Sequence, residues 1–582
     1  MSDTRTIPAN PSDAAVVTFT LKIDGTDVPR TYNVASAVVN RSLNKIPVLD
    51  LAILDGDAAT SGFPASDADL FIPGKAIELW GGFSSQEELL FKGIIIKHSL
   101  RIREESSPML MIDARDKAVG MTIGAKNQYY EEKKDSDIIE EIAGNYGLDK
   151  DVESTTVQHK QLLQYNCTDW DFIQTRAETN GKFCSCENGK LVIKAPDLSA
   201  TEAIELLFGA TIISFDAEMD ARYQFDTVTT TSWSHNDQAL VKTDATPPTF
   251  TEQGNLASSD LAAVVNNTAY TIQHGGSVEE AELQNQADAQ MLKSRLAKIR
   301  GRVKFRGFGA IMPGQTLQLN GVGQRFTGKV FVSGVRHEFY DGNWTTDVQF
   351  GVSPKWFAKE NDIQPLPAAG MVPGIKGLQI GVVTNLEDPD GMFRVKVKIP
   401  DVSMDEEGMW CRMISPDAGN SRGLFFRPEV GDEVIVGFLH EDPNHGVILG
   451  GVFSTALASP VEQTADNNQK GLVTRSGMKW LWDDEKKSLQ IETPGGKKMS
   501  IDEDADEMKW EDEHGNKILM NADGITIESA KALTLKAATD WKGEGANVEL
   551  KGSSACKVEG SGSAEISSGG TTNVKGSIVN IN

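Results

Sequence analysis

The segment from Gly524 to Asn582 constrains the fold most, because apolar residues return there about every eight positions. This period is too long for one helical face, and a second apolar row lies two residues upstream. Each unit therefore reads as a short alternating strand followed by a polar turn. The two rows are Ile527, Leu535, Leu550, Val558, Ile566 and Val574, and Ile525, Leu533, Trp541, Val548, Cys556, Ala564 and Thr572.

One chain alone cannot stabilise these units. Burying one or two apolar side chains per unit contributes about 1.5–3 kcal/mol each, whereas ordering the backbone costs about 1–2 kcal/mol per residue. Stacked repeats usually bury their apolar faces against each other. Because these units present so few apolar side chains, we expect other chains to contribute apolar side chains to the same core. The repeat predicts an intertwined oligomeric β-needle. A disordered Gly/Ser-rich tail and a single-chain β-helix, whose coils need about twenty residues each, are the alternatives.

Composition excludes several classes of protein. The 582 residues suffice for three or four domains, and 39% hydrophobic with 24% charged residues is typical of globular proteins. A net charge of −26 argues against a nucleic-acid or anionic-membrane partner. Five scattered cysteines indicate a reducing compartment. Without a signal peptide or an 18-residue apolar stretch, we expect folding in the cytoplasm and export by a route other than general secretion.

Along the chain, residues 15–120 alternate as short strands, and a helix with Ile138, Ile139 and Ile142 on one face follows. A second helix is capped by Thr168 or Asp169, and a third lies within residues 277–299. We predict a polar loop at 243–268 and a linker at 361–377, which holds three prolines and three glycines. Five strands between 378 and 453 suit a small OB-type barrel, and hairpin-like strands occupy 472–523.

Several of these segments carry a family resemblance. The run RPEVGDEVIVGFLHEDPNHGVILGGVFS, from Arg427 to Ser454, resembles the OB-domain signature of the VgrG spike proteins of type VI secretion and related contractile injection systems. YNCTDWDF, from Tyr165 to Phe172, and Phe91-Lys92-Gly93 resemble the hub shared with phage tail late-control proteins. Residues 474–484, TRSGMKWLWDD, resemble the family's entry into its needle.

The resemblance implies a mainly β fold: phage-hub-like β-barrel domains with a few helices, an OB-fold barrel and a C-terminal trimeric β-prism needle. We expect the hub at 1–360, the linker at 361–377, the OB domain at 378–455 and the needle at 456–582. The implied function is a structural homotrimeric spike that nucleates baseplate and tube assembly and punctures a target envelope. Its hub would adapt the hexameric ring of the inner tube protein to three-fold symmetry, inside a particle assembled in the cytoplasm and delivered outward on contraction.

A search for active-site patterns favours a protein that is not an enzyme and holds no cofactor. The two histidines of His440-Glu441-Asp442-Pro443-Asn444-His445 are five apart, and Pro443 prevents the helix that a zinc-protease motif needs, so we expect a turn between barrel strands. The acidic run Asp502 to Glu507 lacks EF-hand spacing and reads as a solvated strand edge. A spike with its own hydrolytic or toxin activity, or a contractile phage tail spike, are the alternatives.

The eight-residue repeat also predicts which residues form the core and the end of the needle. We predict that Ile527, Leu535, Leu550, Val558, Ile566 and Val574 form the trimer core. Apolar residues at the end of this segment would leave unpaired strand groups in water. We therefore expect Ile578, Ile581 and Asn582 to dock a separate tip protein. The family resemblance implies that this tip protein is of the PAAR type, and it implies baseplate proteins and effector cargo as further partners.

Overall fold

The computed structural model describes residues 16–266 and 268–581 of the chain. The chain divides between Met371 and Val372 into two units, each described by itself below. The first unit combines a large β-sheet with small helical parts, and the second consists of a closed barrel and an open antiparallel sheet. The mainly β fold class is confirmed. Among the described residues, no helix is long and apolar enough to cross a membrane.

The first unit contains twenty-one strands and five α-helices among its described residues. The strands are β1 Val17–Ile23, β2 Thr26–Asp27, β3 Val34–Ser42, β4 Val48–Leu54, β5 Ala76–Phe83, β6 Gln86–Arg103, β7 Ser106–Arg115, β8 Lys126–Lys134, β9 Asp149–Val152, β10 Gln158–Cys167, β11 Phe183–Glu187, β12 Lys190–Lys194, β13 Glu205–Leu207, β14 Ile212–Met219, β15 Thr227–Ser234, β16 Ala239–Asp244, β17 Ala269–Gln273, β18 Ile299–Arg306, β19 Thr316–Asn320, β20 Gly328–Tyr340 and β21 Asn343–Phe350. The helices are α1 Asp135–Asn145, α2 Asp169–Thr179, α3 Ser258–Val264, α4 Glu280–Leu296 and α5 Phe357–Glu360.

A thirteen-stranded sheet organises this unit, with the main order β14-β18-β21-β20-β3-β4-β7-β6-β5-β1-β2 and with β13 and β19 joined through β20. Its strands alternate in burial, so inward side chains such as Leu49 and Leu79 pack with Phe71 in a core that excludes water. Gly93 of the hub-like motif lies where a Cβ atom would come within 2.2 Å of the Arg115 carbonyl oxygen, which explains the glycine.

A smaller core forms around α1 and α2. The Thr168 side chain caps α2 by accepting a 3.1 Å hydrogen bond from the Asp171 backbone N–H, as the sequence predicts. Arg176 on α2 holds both carboxylate oxygens of Asp135 on α1, at 2.6 and 3.0 Å. Burial by itself raises the pKa of the Asp135 carboxyl, but Arg176 outweighs burial and holds this pKa below its usual value.

The structure differs from the sequence prediction in two connecting segments. Helix α3 lies inside the predicted polar loop at 243–268, because Leu261 and Ala262 are buried there despite their polar neighbours. A short 3₁₀ turn, Pro367–Gly370, occurs inside the predicted linker, with Ala368 buried. Both were missed because two or three apolar residues give no periodic signal.

The second unit begins with a closed barrel of β22 Gln379–Asn385, β23 Val395–Lys398, β24 Met409–Met413, β27 Glu433–Phe438 and β28 Gly446–Gly451. These are the five predicted strands. A small hairpin, β25 Ala418–Gly419 and β26 Arg422–Gly423, lies between β24 and β27. The segment 439–445 connects β27 to β28, as predicted for the two-histidine motif. Gly431 has a φ of 95°, a backbone conformation that favours glycine.

The rest of the second unit is a seven-stranded antiparallel sheet, called the ladder here, in which each strand pairs with the next along the chain. Its strands are β29 Gln469–Val473, β30 Lys479–Asp483, β31 Ser488–Glu492, β32 Lys498–Asp502, β33 Glu507–Glu511, β34 Lys517–Asn521 and β35 Gly524–Glu528. Residues 529–581, called the tail, follow it.

Ile448→Ala tests the barrel core. Ile448 is fully buried, so removing its side chain should destabilise the barrel by about 2–5 kcal/mol. Faster hydrogen–deuterium exchange at the amides of β27 and β28 in the intact protein measures this loss locally. Leu449→Ala is the matched control, because Leu449 is 42% exposed and its truncation should leave the exchange nearly unchanged. Equal effects of the two changes would contradict the assigned core.

Candidate functional site

The strands of the ladder place most of their apolar side chains on one face of the sheet. Side chains alternate between the two faces along a strand, and directly paired residues of neighbouring strands share a face. In the observed register, Trp480 pairs with Ile491, and Trp482 pairs with Leu489. The same alignment continues to the last strand, where Ile518 pairs with Ile527. One face of the ladder is therefore apolar from β30 to β35.

This apolar face consists of two columns of six side chains. The first column is Trp480, Ile491, Met499, Trp510, Ile518 and Ile527, and the second is Trp482, Leu489, Ile501, Met508, Met520 and Ile525.

No residue of the apolar face is buried within its own chain. Trp480 is 44% exposed, Trp510 52% and Ile525 71%, and the other members are half-buried or exposed. The rings of Trp480 and Trp482 lie 5.2 Å apart and stack on each other at 29°, so each covers only the other's face. Complete burial of one such side chain stabilises a fold by about 1.5–3 kcal/mol. Twelve of them in two straight columns form a surface suited to burial under another β-layer.

The opposite face, called the polar face here, is polar except for Leu481 and Leu519, and its charges are ordered. At one end of the six strands β30 to β35 lies a column in which lysine and glutamate alternate: Lys479, Glu492, Lys498, Glu511, Lys517 and Glu528. The Nζ of Lys517 lies 3.1 Å from a Glu528 carboxylate oxygen, and that of Lys479 lies 3.9 Å from Glu492. Opposite charges on directly paired residues favour this register, because a shift by one residue would separate these pairs and move the side chains to the other face.

The predicted needle-core residues divide between the ladder and the tail. Ile527 lies on β35 and ends the first apolar column. Leu535, Leu550, Val558, Ile566 and Val574 all lie in the tail, where they are 62–80% exposed. That they form a trimer core stays a prediction.

The expectation of a short strand in every tail unit is wrong for the single chain. The described tail residues contain no β-strand. The physical reason is that an eight-residue unit cannot turn back and pair with itself, so a backbone partner has to come from outside the unit.

The sequence search for core residues missed the ladder's columns upstream of Ile525. The signal was present, because MKWLWDD, SLQIET and KKMSIDED alternate with period two and were correctly predicted as strands. The alternation within each strand does not reveal that the apolar columns of β30 to β35 share one face. It also does not reveal that no other layer of the same chain covers this face.

The predicted tip-docking residues Ile578 and Ile581 are 79% and 91% exposed. Asn582 lies outside the described residues. The acidic run from Asp502 to Glu507 forms the connection between β32 and β33 and is largely exposed. Among the residues the structure describes, no group of three or more His, Cys, Asp or Glu side chains is arranged to hold a metal ion.

Comparison with known proteins agrees with this architecture. Residues 379–453 match the family model described as the type VI secretion system/phage-baseplate injector OB domain. The spike protein VgrG1b of the type VI secretion system of Pseudomonas aeruginosa is 26% identical over 280 residues, 44% of this chain and 37% of that protein. VgrG1c of the same organism is 28% identical over 193 residues, 30% of this chain and 26% of that protein.

The chain thus spans well under half the length of these curated relatives. Among solved structures, the 43 kDa tail protein of prophage MuSo2 from Shewanella oneidensis is similar, with a TM-score of 0.45 and 14% identity over 58% of this chain and 98% of that one.

The barrel match and these relatives support a spike of the VgrG type. Residues 13–341, more than half of the chain, match the model described as the Alg8 N-terminal domain, and the chain belongs to that family.

Ile518→Asp tests whether the apolar face is an interface. Ile518 is the second residue of β34 and lies on this face, and a carboxylate there would have to be buried unpaired when another layer covers it. We expect a loss of self-association of at least tenfold in affinity, measured by analytical ultracentrifugation. Leu519→Asp is the matched control, since Leu519 is the next residue and points to the polar face. If both variants associated like the parent, the apolar face would not be the interface.

Proposed function

We propose that three copies of this chain form the spike of a contractile injection apparatus. The observation that carries the proposal is the apolar face of the ladder, which is uncovered in one chain although its register is fully ordered. A sheet with one apolar and one polar face is stable in water only when the apolar face is packed against another layer. Further copies of the same ladder would supply that layer, and the tail's two apolar rows would continue the same arrangement.

In this role the chain acts through packing and rigidity. The three hubs would sit on the hexameric ring of the inner tube protein, within a baseplate that the spike nucleates. Three ladders and tails, with Ile527, Leu535, Leu550, Val558, Ile566 and Val574 at their centre, would form the needle that punctures the target envelope. Domain boundaries at 1–360, 361–377, 378–455 and 456–582 belong to the same proposal.

Catalysis is not part of the proposed role. The relatives of the VgrG type carry the name of spike proteins, and we propose that this chain works without its own hydrolytic activity. Effector cargo carried on the spike would supply any enzymatic effect on the target. The particle would be assembled in the cytoplasm and delivered outward when a sheath contracts.

The oligomeric state of the purified full chain tests the proposal. The expected result is a species with three times the mass of the 63.2 kDa chain at micromolar concentration, by sedimentation equilibrium. Negative-stain images of the same sample should show three-fold symmetry. A stable monomer at that concentration would overturn the proposal, because the apolar face would then remain in water.

A PAAR-type tip protein is the proposed partner at Ile578 and Ile581, whose side chains are among the most exposed apolar groups of the chain. Replacing both with serine should reduce capture of the tip protein at least tenfold in a pull-down, because the apolar contact area is lost while the ladder is unchanged. The control is Ser577→Ala with Asn580→Ala, which alters the same segment but keeps both isoleucines. Undiminished capture by the serine variant would place tip docking elsewhere.

A further inference from the structure

The first unit contains, near its C-terminal end, a short segment that is called the strap here. The strap consists of residues 355–361 and includes α5. No residue of the strap is buried, so an apolar side chain inside the core does not hold it in place. Two side chains of the first unit reach the strap instead, Glu178 of α2 and Lys293 of α4, and each is only 6% exposed. The position of the strap therefore depends on a buried ion pair.

This ion pair contacts three consecutive residues of the strap. Lys293 Nζ donates a hydrogen bond to Glu178 and another, of 2.5 Å, to the backbone carbonyl oxygen of Lys355. It also lies 5.5 Å from the centroid of the Trp356 ring, within the range of a cation–π interaction. The second carboxylate oxygen of Glu178 accepts a 2.8 Å hydrogen bond from the Phe357 backbone N–H. The two side chains thus act on the strap as well as on each other.

Other contacts of the strap with the first unit are exposed to water. Ser353 donates a 2.8 Å hydrogen bond to Glu360, and Lys359 reaches the Tyr270 hydroxyl at 3.4 Å. Because water competes for both partners, such hydrogen bonds contribute little to stability. Phe357 and Glu360 also line a cavity of about 1260 Å³, so the strap has free space on that side. The buried pair is therefore the main attachment of the strap.

The closed strap keeps two charges away from water, and this has an energetic cost. Burial raises the pKa of the Glu178 carboxyl above its ordinary value; Glu360 acts in the same direction and Lys293 in the opposite one. Desolvation of a buried pair cancels much of the attraction between its charges. When the strap opens, the pair stays together between α2 and α4 but regains water. The contacts that close the strap are therefore ones that water can replace.

We propose that the Glu178–Lys293 pair is a latch that holds the strap closed, and that the strap opens as a segment while α2 and α4 stay folded. This inference goes beyond the proposed spike and does not rest on it. The strap precedes the connection to the second unit, which begins at Val372. Opening adds residues 355–361, about 25 Å of extended chain, to that connection. A pull on the second unit would then lengthen the connection before any helix of the first unit unfolds.

Hydrogen–deuterium exchange of the full chain tests the latch. The amides of Phe357, Lys359 and Asn361 report on the strap, because each donates a hydrogen bond in the closed state. Glu178→Leu combined with Lys293→Met replaces the pair by apolar side chains, which often preserves stability, but it removes the hydrogen bonds to the strap. We expect the three amides to exchange at least tenfold faster, whereas the exchange of α2 and α4 and the Tm stay close to those of the parent.

A charge-swapped variant distinguishes a latch on the strap from a simple joint between two helices. Glu178→Lys combined with Lys293→Glu restores the attraction between α2 and α4. It also turns a donor towards the Phe357 N–H and an acceptor towards the Lys355 carbonyl oxygen, so neither hydrogen bond to the strap can form. The strap of this variant should therefore exchange as fast as that of the apolar variant, with α2 and α4 protected as in the parent.

Glu282→Ala is the matched control. It removes the ion pair between Arg176 and Glu282, whose 2.8 Å contact also joins α2 to α4. Glu282 lies about 16 Å along α4 from Lys293, at 1.5 Å per residue, and so acts on the helices without reaching the latch. The strap should exchange in this variant as it does in the parent.

Several results would refute the latch. Unchanged exchange of the strap in both double variants would show that other contacts hold it. An equal rise in the strap, α2 and α4, or an equal response of the strap to Glu282→Ala, would show that the pair stabilises the fold in general. The parent chain gives a further measurement that needs no variant to fold: its strap should exchange faster than α2 and α4, because local opening needs less free energy than unfolding of a helix. Equal rates in the parent would contradict the proposal.

Discussion

The apolar face of the ladder is the constraint on which the second unit depends. Each of its seven five-residue strands pairs with the next along the chain, so the strand pairing of the sheet lies within one chain. Its twelve apolar side chains have no second layer in that chain. The hydrophobic contribution that normally stabilises a β-layer is therefore available only on association, and stability becomes linked to the concentration of copies.

The barrel and the first unit solve the same problem inside one chain. The five barrel strands close on themselves, and residues such as Val383 and Val436 are buried. The first unit packs its large sheet around buried aromatic and aliphatic side chains and joins α1 to α2 through the Asp135–Arg176 pair. Removing either partner of this ion pair would leave a buried charge without compensation.

An open apolar sheet also risks wrong association, and the polar face limits it. Alternating lysine and glutamate in one column favour a single register, and carboxylates are concentrated in the connection between β32 and β33 at the other strand ends. Charged edges are a general means by which β-proteins avoid lateral aggregation. Apolar contacts in the ladder are non-directional, whereas its ordered charges favour one strand register.

The sequence by itself determined the local features of this protein. The period-two alternation of residues 478–520 predicts strands, the five runs of the barrel and the cap at Thr168 were correct, and the eight-residue repeat indicates a chain that needs partners. These features depend on neighbours in sequence, which is why a pattern reveals them. Only the tertiary structure decided that the apolar side chains of six strands align in two columns on one uncovered face, that the tail forms no strand within one chain, and that α3 folds inside a polar segment. The register of paired strands, the covering of a sheet face by another layer and the burial of a side chain all depend on residues distant in sequence. No local sequence pattern therefore specifies them.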